Sequence, residues 1–261
     1  MKLKMSVVTP CYNEIERIEK YLEVLENQTV KPEVIIVDGG STDGTLPILR
    51  KFVKRYKNAK LFVEKKERSP AKARNMGWKA AKGDIVYLMD VDSQIEKNFT
   101  KKIIKEFEKN PGVDAIRFVC KPKFPKKFSN VFEKALFYKD ERGDGRLIIF
   151  ARKAIKKLGY SDPSLGFGED RAWGKKWSKL KIVETSTALV QSKSGYLNAR
   201  KFFQRYSWYG RTLPRFLKKH FEFKIFLGLC ISIAILLLTF TFWVHLYLTY
   251  LFGILLLLIF L

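Results

Sequence analysis

The sequence predicts an α/β fold, a mostly parallel sheet flanked by helices, followed by transmembrane helices at the C-terminus. Three observations predict it. Apolar runs at Met5–Val8, Val34–Val37 and Ile85–Met89 are short and do not alternate with polar residues, as in strands buried on both faces. Helix-like stretches such as Glu14–Glu26 and Pro70–Ala81 separate them, supplying the crossovers that parallel strands need. The 37 residues from Ile225 to Leu261 contain no Asp, Glu, Lys or Arg.

The 261 residues leave room for one sizeable domain, expected over residues 1–195, and a membrane attachment. The formal charge of +24 raises nucleic acid as a partner. The Lys and Arg residues are interleaved with Glu and apolar positions, however, and no zinc-finger spacing or RNA-binding aromatic signature accompanies them, so no nucleic-acid partner is expected. An anionic membrane surface accounts for the excess better, at about 1 kcal/mol per basic residue beside a span. Cys11, Cys120 and Cys230 are odd in number and far apart, so they form no readable disulfide framework and fit a reducing compartment. MKLKMSVVTPCYNE has no secretory pattern and runs directly into a strand.

Farther along, Lys101–Glu108 reads as a charged surface helix and Asp114–Cys120 as a strand. Residues 121–145 mix Lys, Pro and Phe and carry no clear period. Arg146–Ala151 reads as a strand, Lys153–Leu158 as a short helix ended by Gly159, and Glu169–Lys179 as a helix after a Gly/Ser/Pro-rich loop. The segment 196–220 alternates Arg200, Lys201, Arg205, Arg211 and Arg215 with Phe202, Phe203, Tyr206, Trp208 and Tyr209, the pattern of an interfacial helix, with a break or kink expected at Pro214. Residues 221–261 follow as the membrane segment. One straight helix over its 37 uncharged residues would be about 55 Å long against a hydrocarbon core of about 30 Å. Two spans of about 18 residues, divided near Trp243, His245 and Tyr247, fit better. Lys218, Lys219 and Lys224 before the first span place the soluble domain in the cytoplasm, making the chain a multi-pass cell-membrane protein.

Each apolar run ends in a polar cluster: Thr9-Pro10-Cys11-Tyr12-Asn13-Glu14, Asp38-Gly39-Gly40-Ser41-Thr42-Asp43, and Asp90-Val91-Asp92. Ligands of open α/β sheets bind beyond the carboxyl ends of the strands, so the three clusters are expected to share one crevice. If the third strand continues through its cluster, Asp90 and Asp92 point to one side and repel unless a cation lies between them. Mg²⁺ or Mn²⁺ suits that oxygen pair, completing its coordination with phosphates and water. Asp38 could accept hydrogen bonds from a base or ribose, or make turn bonds, the reading preferred for Asp43. Arg74, in a helix beside the crevice, could reach a pyrophosphate. Of the adjacent Glu169 and Asp170 only one can face a given site, where it could serve as a general base; either could instead be a helix-capping acid. His220 and His245, both near or in the tail, argue against a His-based metal site or triad.

The ordered set VVTPCYNE, VDGGSTDGT, ARNMGWKAAKGD, Asp90-Val91-Asp92 and Gly168-Glu169-Asp170, over about residues 5–190, resembles the inverting family-2 glycosyltransferases of GT-A fold. The resemblance implies a nucleotide-diphosphate sugar donor, with Pro10, Tyr12 and Glu14 lining the nucleotide pocket, Asp38 at the base and Arg74 on the nucleotide. It also implies Asp92 as principal ligand of a divalent ion, Mn²⁺ or Mg²⁺, with Asp90 near the ribose and metal, and Asp170 as the base for inverting attack. Two departures stand out. Val190-Gln191-Ser192 replaces the His that many relatives carry, and Gln204-Arg205-Tyr206-Ser207-Trp208 only loosely echoes the motif of processive synthases.

Together these features predict transfer of a single sugar to a lipid-linked acceptor, a polyprenyl phosphate or a glycolipid, whose head group would meet Glu169, Arg205, Trp208 and Arg211. Two alternatives are a nucleotidyltransferase on a related sheet and a non-catalytic membrane scaffold. The sugar, the base and the oligomeric state are not legible in the sequence.

Overall fold

The computed structural model describes residues 2–65, 69–121, 146–165, 168–193, 199–219 and 223–260. The unassigned stretch after Lys121, Gly166-Phe167 and His220 lie outside the described residues, as do the side chains of Arg205 and Trp208. The chain divides into two units, Met1–Leu213 and Pro214–Leu261.

The first unit is built on an eight-stranded sheet. Its strands are β1 (Met5–Cys11), β2 (Glu33–Asp38), β3 (Ala59–Val63), β4 (Ile85–Leu88), β5 (Ser93–Ile95), β6 (Ala115–Lys121), β7 (Arg146–Ala151) and β8 (Ile182–Lys193), in the order β3-β2-β1-β4-β7-β6-β8-β5. The first four pair in parallel; β7 runs antiparallel to both β4 and β6, β6 and β8 are parallel, and β5 is antiparallel to β8. A mostly parallel sheet is what the apolar runs predicted.

Those runs are uniformly apolar because both sheet faces are covered. Val34, Ile36 and Tyr87 pack with α1 (Ile18–Glu26), α2 (Thr45–Arg55) and α4 (Phe99–Lys109), while Ile35, Val8 and Val86 pack on the other face with Trp78 of α3 (Pro70–Ala80), Leu158 of α5 (Ile155–Leu158) and Trp173 of α6 (Glu169–Gly174). Strand period two sends successive residues into these two cores. Gly159, at φ 65°, ends α5 as expected. The expected helix over 169–179 is α-helical only to Gly174; Lys175–Lys179 tightens into a 3₁₀ turn.

Pro10 lies inside β1, where a proline is ordinarily costly. Alternate residues of β1 address opposite neighbours: Met89 N donates to Val8 O on the β4 side and Gly39 N to Cys11 O on the β2 side. The Pro10 nitrogen thus faces β4 beyond the last paired residue, Val8, and gives up no ladder bond.

Helix α3 approaches β1 closely. A Cβ at Gly77 would lie 2.2 Å from Val8 Cγ1, so only glycine admits the contact.

The C-terminal segment differs from expectation. Helix α7 (Ala199–Lys219) runs on through Pro214, and residues 223–260 form one unbroken helix, α8 (Phe223–Phe260), in place of two spans. Trp243, His245 and Tyr247 favour interfaces but do not stop a helix, and α8 contains no proline and only Gly228 and Gly253 as weak points. Cys230–Tyr250 is long and apolar enough to cross a membrane, with mean hydropathy 2.0 over 21 residues. At 1.5 Å per residue this stretch spans about 30 Å.

Substituting Gly77→Ala should destabilise the first unit by about 1–3 kcal/mol, because the added methyl overpacks the contact with Val8. Gly210→Ala, in α7 with open space around its Cβ position, should instead stabilise by up to about 1 kcal/mol. Denaturant midpoints of the two variants should therefore move in opposite directions.

Candidate active site

The carboxyl ends of β1 and β2 are laced together by their own loops. Asp38 is fully buried and accepts Gly40 N at 2.9 Å, Ser41 N at 2.8 Å and Ser41 Oγ at 2.6 Å. Asn13, the one described non-glycine residue at positive φ (53°), takes Thr42 N on Oδ1 at 2.9 Å, and its own N–H donates to Ser41 Oγ at 2.9 Å. Asp43 makes turn bonds, accepting Thr45 N at 3.0 Å, Thr45 Oγ1 at 2.6 Å and Ile15 N at 3.0 Å. Glu14 N donates to Thr45 Oγ1 at 2.9 Å. The Asp38 carboxylate is thus occupied by its own loop. Beside it, the Tyr12 ring packs over Gly39, where a Cβ would come within 3.3 Å of Cδ2, yet stays 40% exposed. Half-buried Pro10 completes this wall.

Burial, and then the charge of Asp38, push the Cys11 thiol far above its ordinary pKa, so it stays protonated and is no nucleophile. Beneath the wall, Tyr21 OH and Thr9 Oγ1 share a buried hydrogen bond.

At β4 the expectation of a continuing strand is corrected. The strand ends at Leu88 and Asp90-Val91-Asp92 form a turn closed by Ser93 N on Asp90 O at 3.0 Å. The reason is topological. β4 is walled by β1 and β7, whereas the next strand, β5, lies at the far edge beside β8, so the chain must leave the sheet here. Asp90 and Asp92 therefore owe their proximity to a turn and not to strand period. Asp90 is exposed at the crevice and Asp92 is half-buried.

Arg74 joins this turn to a distant element. Its Nη2 donates to Asp90 Oδ1 at 3.1 Å and its Nη1 pairs with Glu169 Oε1. The Arg74 side chain is only 22% exposed. Burial alone would lower its pKa, but Asp90 and Glu169 more than offset that and hold it charged. Glu169 is buried and also accepts Ser161 Oγ on Oε2 at 2.9 Å. Desolvation pushes its carboxyl above the ordinary 4.5 despite the opposing pull of Arg74 and Ser161, with Asp170 and Asp90 adding to the rise. Asp170, exposed in the first turn of α6, thus lies near enough to act on both Arg74 and Glu169.

The crevice therefore brings together Arg74, Asp90 and Glu169 by direct contact, with Asp170 adjoining and Asp92 in the same turn as Asp90. Glu169 does not present itself to an incoming acceptor: its carboxylate points inward to Arg74 and Ser161. Arg211 is exposed on α7. Gln191 and Ser192 pair with Ile95 and Gln94 of β5. Among the described residues no three of His, Cys, Asp and Glu gather in a way that could hold a metal ion. The two oxygen donors Asp90 and Asp92 still suit a hard cation such as Mn²⁺ or Mg²⁺, which keeps water and phosphate ligands.

Sequence reasoning missed Asn75 and Ser161. Asn75 Nδ2 donates to Ser161 O at 2.7 Å and Asn75 Oδ1 accepts Ser161 N at 3.0 Å. The only sequence signal was that Asn75 adjoins Arg74.

Because burial raises the Glu169 pKa on folding, the folded chain takes up a proton there above pH 4.5, and the stability so contributed is lost as pH rises through the folded value. Glu169→Gln cannot ionise. Its stability relative to wild type should improve as pH increases from 4.5 through that interval, measured by urea unfolding at each pH; a relative decline over the same range would contradict the burial assignment.

Residues 6–157 match the profile described as Glycosyl transferase family 2, more than half of the chain. Glycosyltransferase AglE of Haloferax volcanii is 34% identical over 115 residues, 43% of this chain and 38% of that protein. The match thus spans well under half of this relative's length. The structure of mannosyltransferase PcManGT from Pyrobaculum calidifontis, in complex with GDP-Man and Mn²⁺, superposes with TM-score 0.60 at 22% identity, covering 84% of this chain and 64% of that one, a likeness of fold. S. aureus TarS in complex with UDP-GlcNAc superposes with TM-score 0.57 at 25% identity, covering 77% and 64%.

Proposed function

The chain belongs to glycosyl transferase family 2, and from that premise we propose that it is a membrane-anchored, metal-dependent inverting transferase. It moves a single sugar from a nucleotide-diphosphate sugar to a lipid-linked acceptor, a polyprenyl phosphate or a glycolipid. The observation that carries the reading is Arg74, held charged at the carboxyl edge of the sheet between Asp90 of the β4 turn and Glu169 of α6.

In this reading Tyr12, Pro10 and Glu14 form one wall of the nucleotide pocket, and Asp38 holds the loop that faces the base. Arg74 meets the diphosphate, where a planar guanidinium suits paired phosphate oxygens. Asp92, with Asp90, would hold Mn²⁺ or Mg²⁺, whose charge would stabilise the departing diphosphate. Asp170, exposed and unlike Glu169 not turned inward, takes the proton from the acceptor oxygen as that oxygen attacks the anomeric carbon. The bond to the diphosphate breaks on the opposite side, giving inversion and a free nucleoside diphosphate. The GDP-Man and Mn²⁺ bound by PcManGT and the UDP-GlcNAc bound by TarS support this donor class.

The lipid acceptor rests on α8 and α7. The apolar stretch Cys230–Tyr250 follows the exposed basic residues Arg211, Arg215, Lys218 and Lys219. Arg205, Trp208 and Arg211 are the residues proposed to meet an acceptor head group, with the catalytic unit on the cytoplasmic side.

Incubating the full chain with Mn²⁺, a polyprenyl phosphate or glycolipid acceptor in detergent, and UDP- or GDP-linked sugars, including UDP-GlcNAc and GDP-mannose, should release nucleoside diphosphate. Asp92→Ala and Asp170→Asn should each lower that turnover by at least about 100-fold. Release of pyrophosphate would instead indicate nucleotidyl transfer, and unchanged turnover in Asp92→Ala would remove the metal role. Wild-type protein should remain in the membrane fraction after an alkaline carbonate wash, and a chain ending before Phe223 should be released; equal retention of both would refute anchoring by α8.

A further inference from the structure

Helix α3 does more than carry Arg74. Three of its side-chain contacts fasten the segment that leads from α5 to α6. Ser69 Oγ donates to Pro163 O at 3.0 Å, and Asn75 makes its reciprocal pair with the Ser161 backbone, donor and acceptor both satisfied. Arg74, between those two positions, pairs with Glu169. The same segment is tied from α6 by Trp173 Nε1, which donates to Gly159 O at 3.0 Å. Its own turn is closed by Asp162, which accepts Ser164 N at 2.9 Å and Ser164 Oγ at 2.7 Å.

Within this frame Ser161 occupies an unusual place. Its backbone is gripped by Asn75 while its buried hydroxyl is spent on Glu169 Oε2, the oxygen that Arg74 does not take. Glu169 is thereby fixed from two sides. Its position in turn sets where the Arg74 guanidinium stands between Glu169 and Asp90. Asp170 follows Glu169 directly in the first turn of α6, so fixing Glu169 also fixes the rotation of the turn that presents Asp170.

We propose that Ser161, clamped by Asn75, is a positioning residue of sugar transfer: through Glu169 it holds Arg74 against the donor and Asp170 against the acceptor in one register. This rests on the transferase reading above and adds to it a link between the two halves of the site that touches neither substrate. A group that orients charges for the transition state lowers kcat when lost, more than it raises the donor KM. A bond from a neutral hydroxyl to a buried carboxylate is in the range that corresponds to about a tenfold to hundredfold change in rate.

The test uses the full chain, a polyprenyl phosphate or glycolipid acceptor in detergent, and the nucleotide sugar that wild type turns over from a panel of UDP- and GDP-linked sugars with Mn²⁺. Ser161→Ala should lower kcat at least about tenfold while donor KM moves less than about threefold, and Ser161→Thr, which restores the hydroxyl, should recover most of the loss. In a Glu169→Gln background, Ser161→Ala should cost much less than it does alone, since the group it acts through is already changed. Asn75→Asp, which keeps an acceptor for Ser161 N and removes the donor to Ser161 O, should reproduce the kcat-dominated loss if Ser161→Ala fails to fold. Active wild type with an unaffected kcat in Ser161→Ala or Asn75→Asp, or an undiminished cost in the Glu169→Gln background, overturns the positioning role alone. A wild type that turns over no nucleotide sugar removes the transferase reading and this role together.

Discussion

A half-buried guanidinium that keeps its proton is best met by carboxylates, and Arg74 has two. The pair with buried Glu169 is the more constrained of the two, because the contact with exposed Asp90 is screened by solvent. Asp90 lies at the end of β4 and Glu169 at the start of α6. One cation therefore joins the carboxyl edge of a parallel sheet to a helix that follows the antiparallel strand β7. The pairing comes about because α3 lies close on β1, through Gly77 over Val8, and so brings Arg74 to the mouth of the crevice.

That arrangement also explains why adjacent acids divide their work. Glu169 and Asp170 diverge around the axis of α6: one turns inward to Arg74 and Ser161, the other stays exposed. An acid committed to a buried ion pair is poorly suited to exchanging protons with an acceptor, whereas its exposed neighbour can do so. The helix thus supplies an inward-turned carboxylate and an exposed one from consecutive residues.

The sequence revealed the shared edge because parallel strands share a direction: apolar runs that each end in a polar cluster must deliver those clusters to one edge. It concealed what depends on distant pairing. The Arg74–Glu169 contact joins residues 95 apart and the Asn75–Ser161 pair joins residues 86 apart, and no local pattern encodes either. Strand β3 went unread because AKLFV is only half-buried, and β5 because three residues carry no period. The turn at Asp90-Val91-Asp92 could not be read from Ile85–Met89 alone; it follows from where β5 must go. In the tail, aromatic residues and His245 suggested a division between two spans, but interface preference does not interrupt a helix, and without proline the chain continues as one.

In the proposed function a divalent cation and a diphosphate meet at the carboxyl edge of the sheet, between the Asp90–Asp92 turn and Arg74. The most direct measurement is the anomalous scattering of Mn²⁺ in crystals of this chain grown with Mn²⁺ and a nucleoside diphosphate. The account requires a manganese peak within coordinating distance of an Asp92 carboxylate oxygen, with diphosphate density between it and the Arg74 guanidinium. A peak remote from Asp92, with the nucleotide bound at the opposite, amino-terminal edge of β1 and β4, would contradict it.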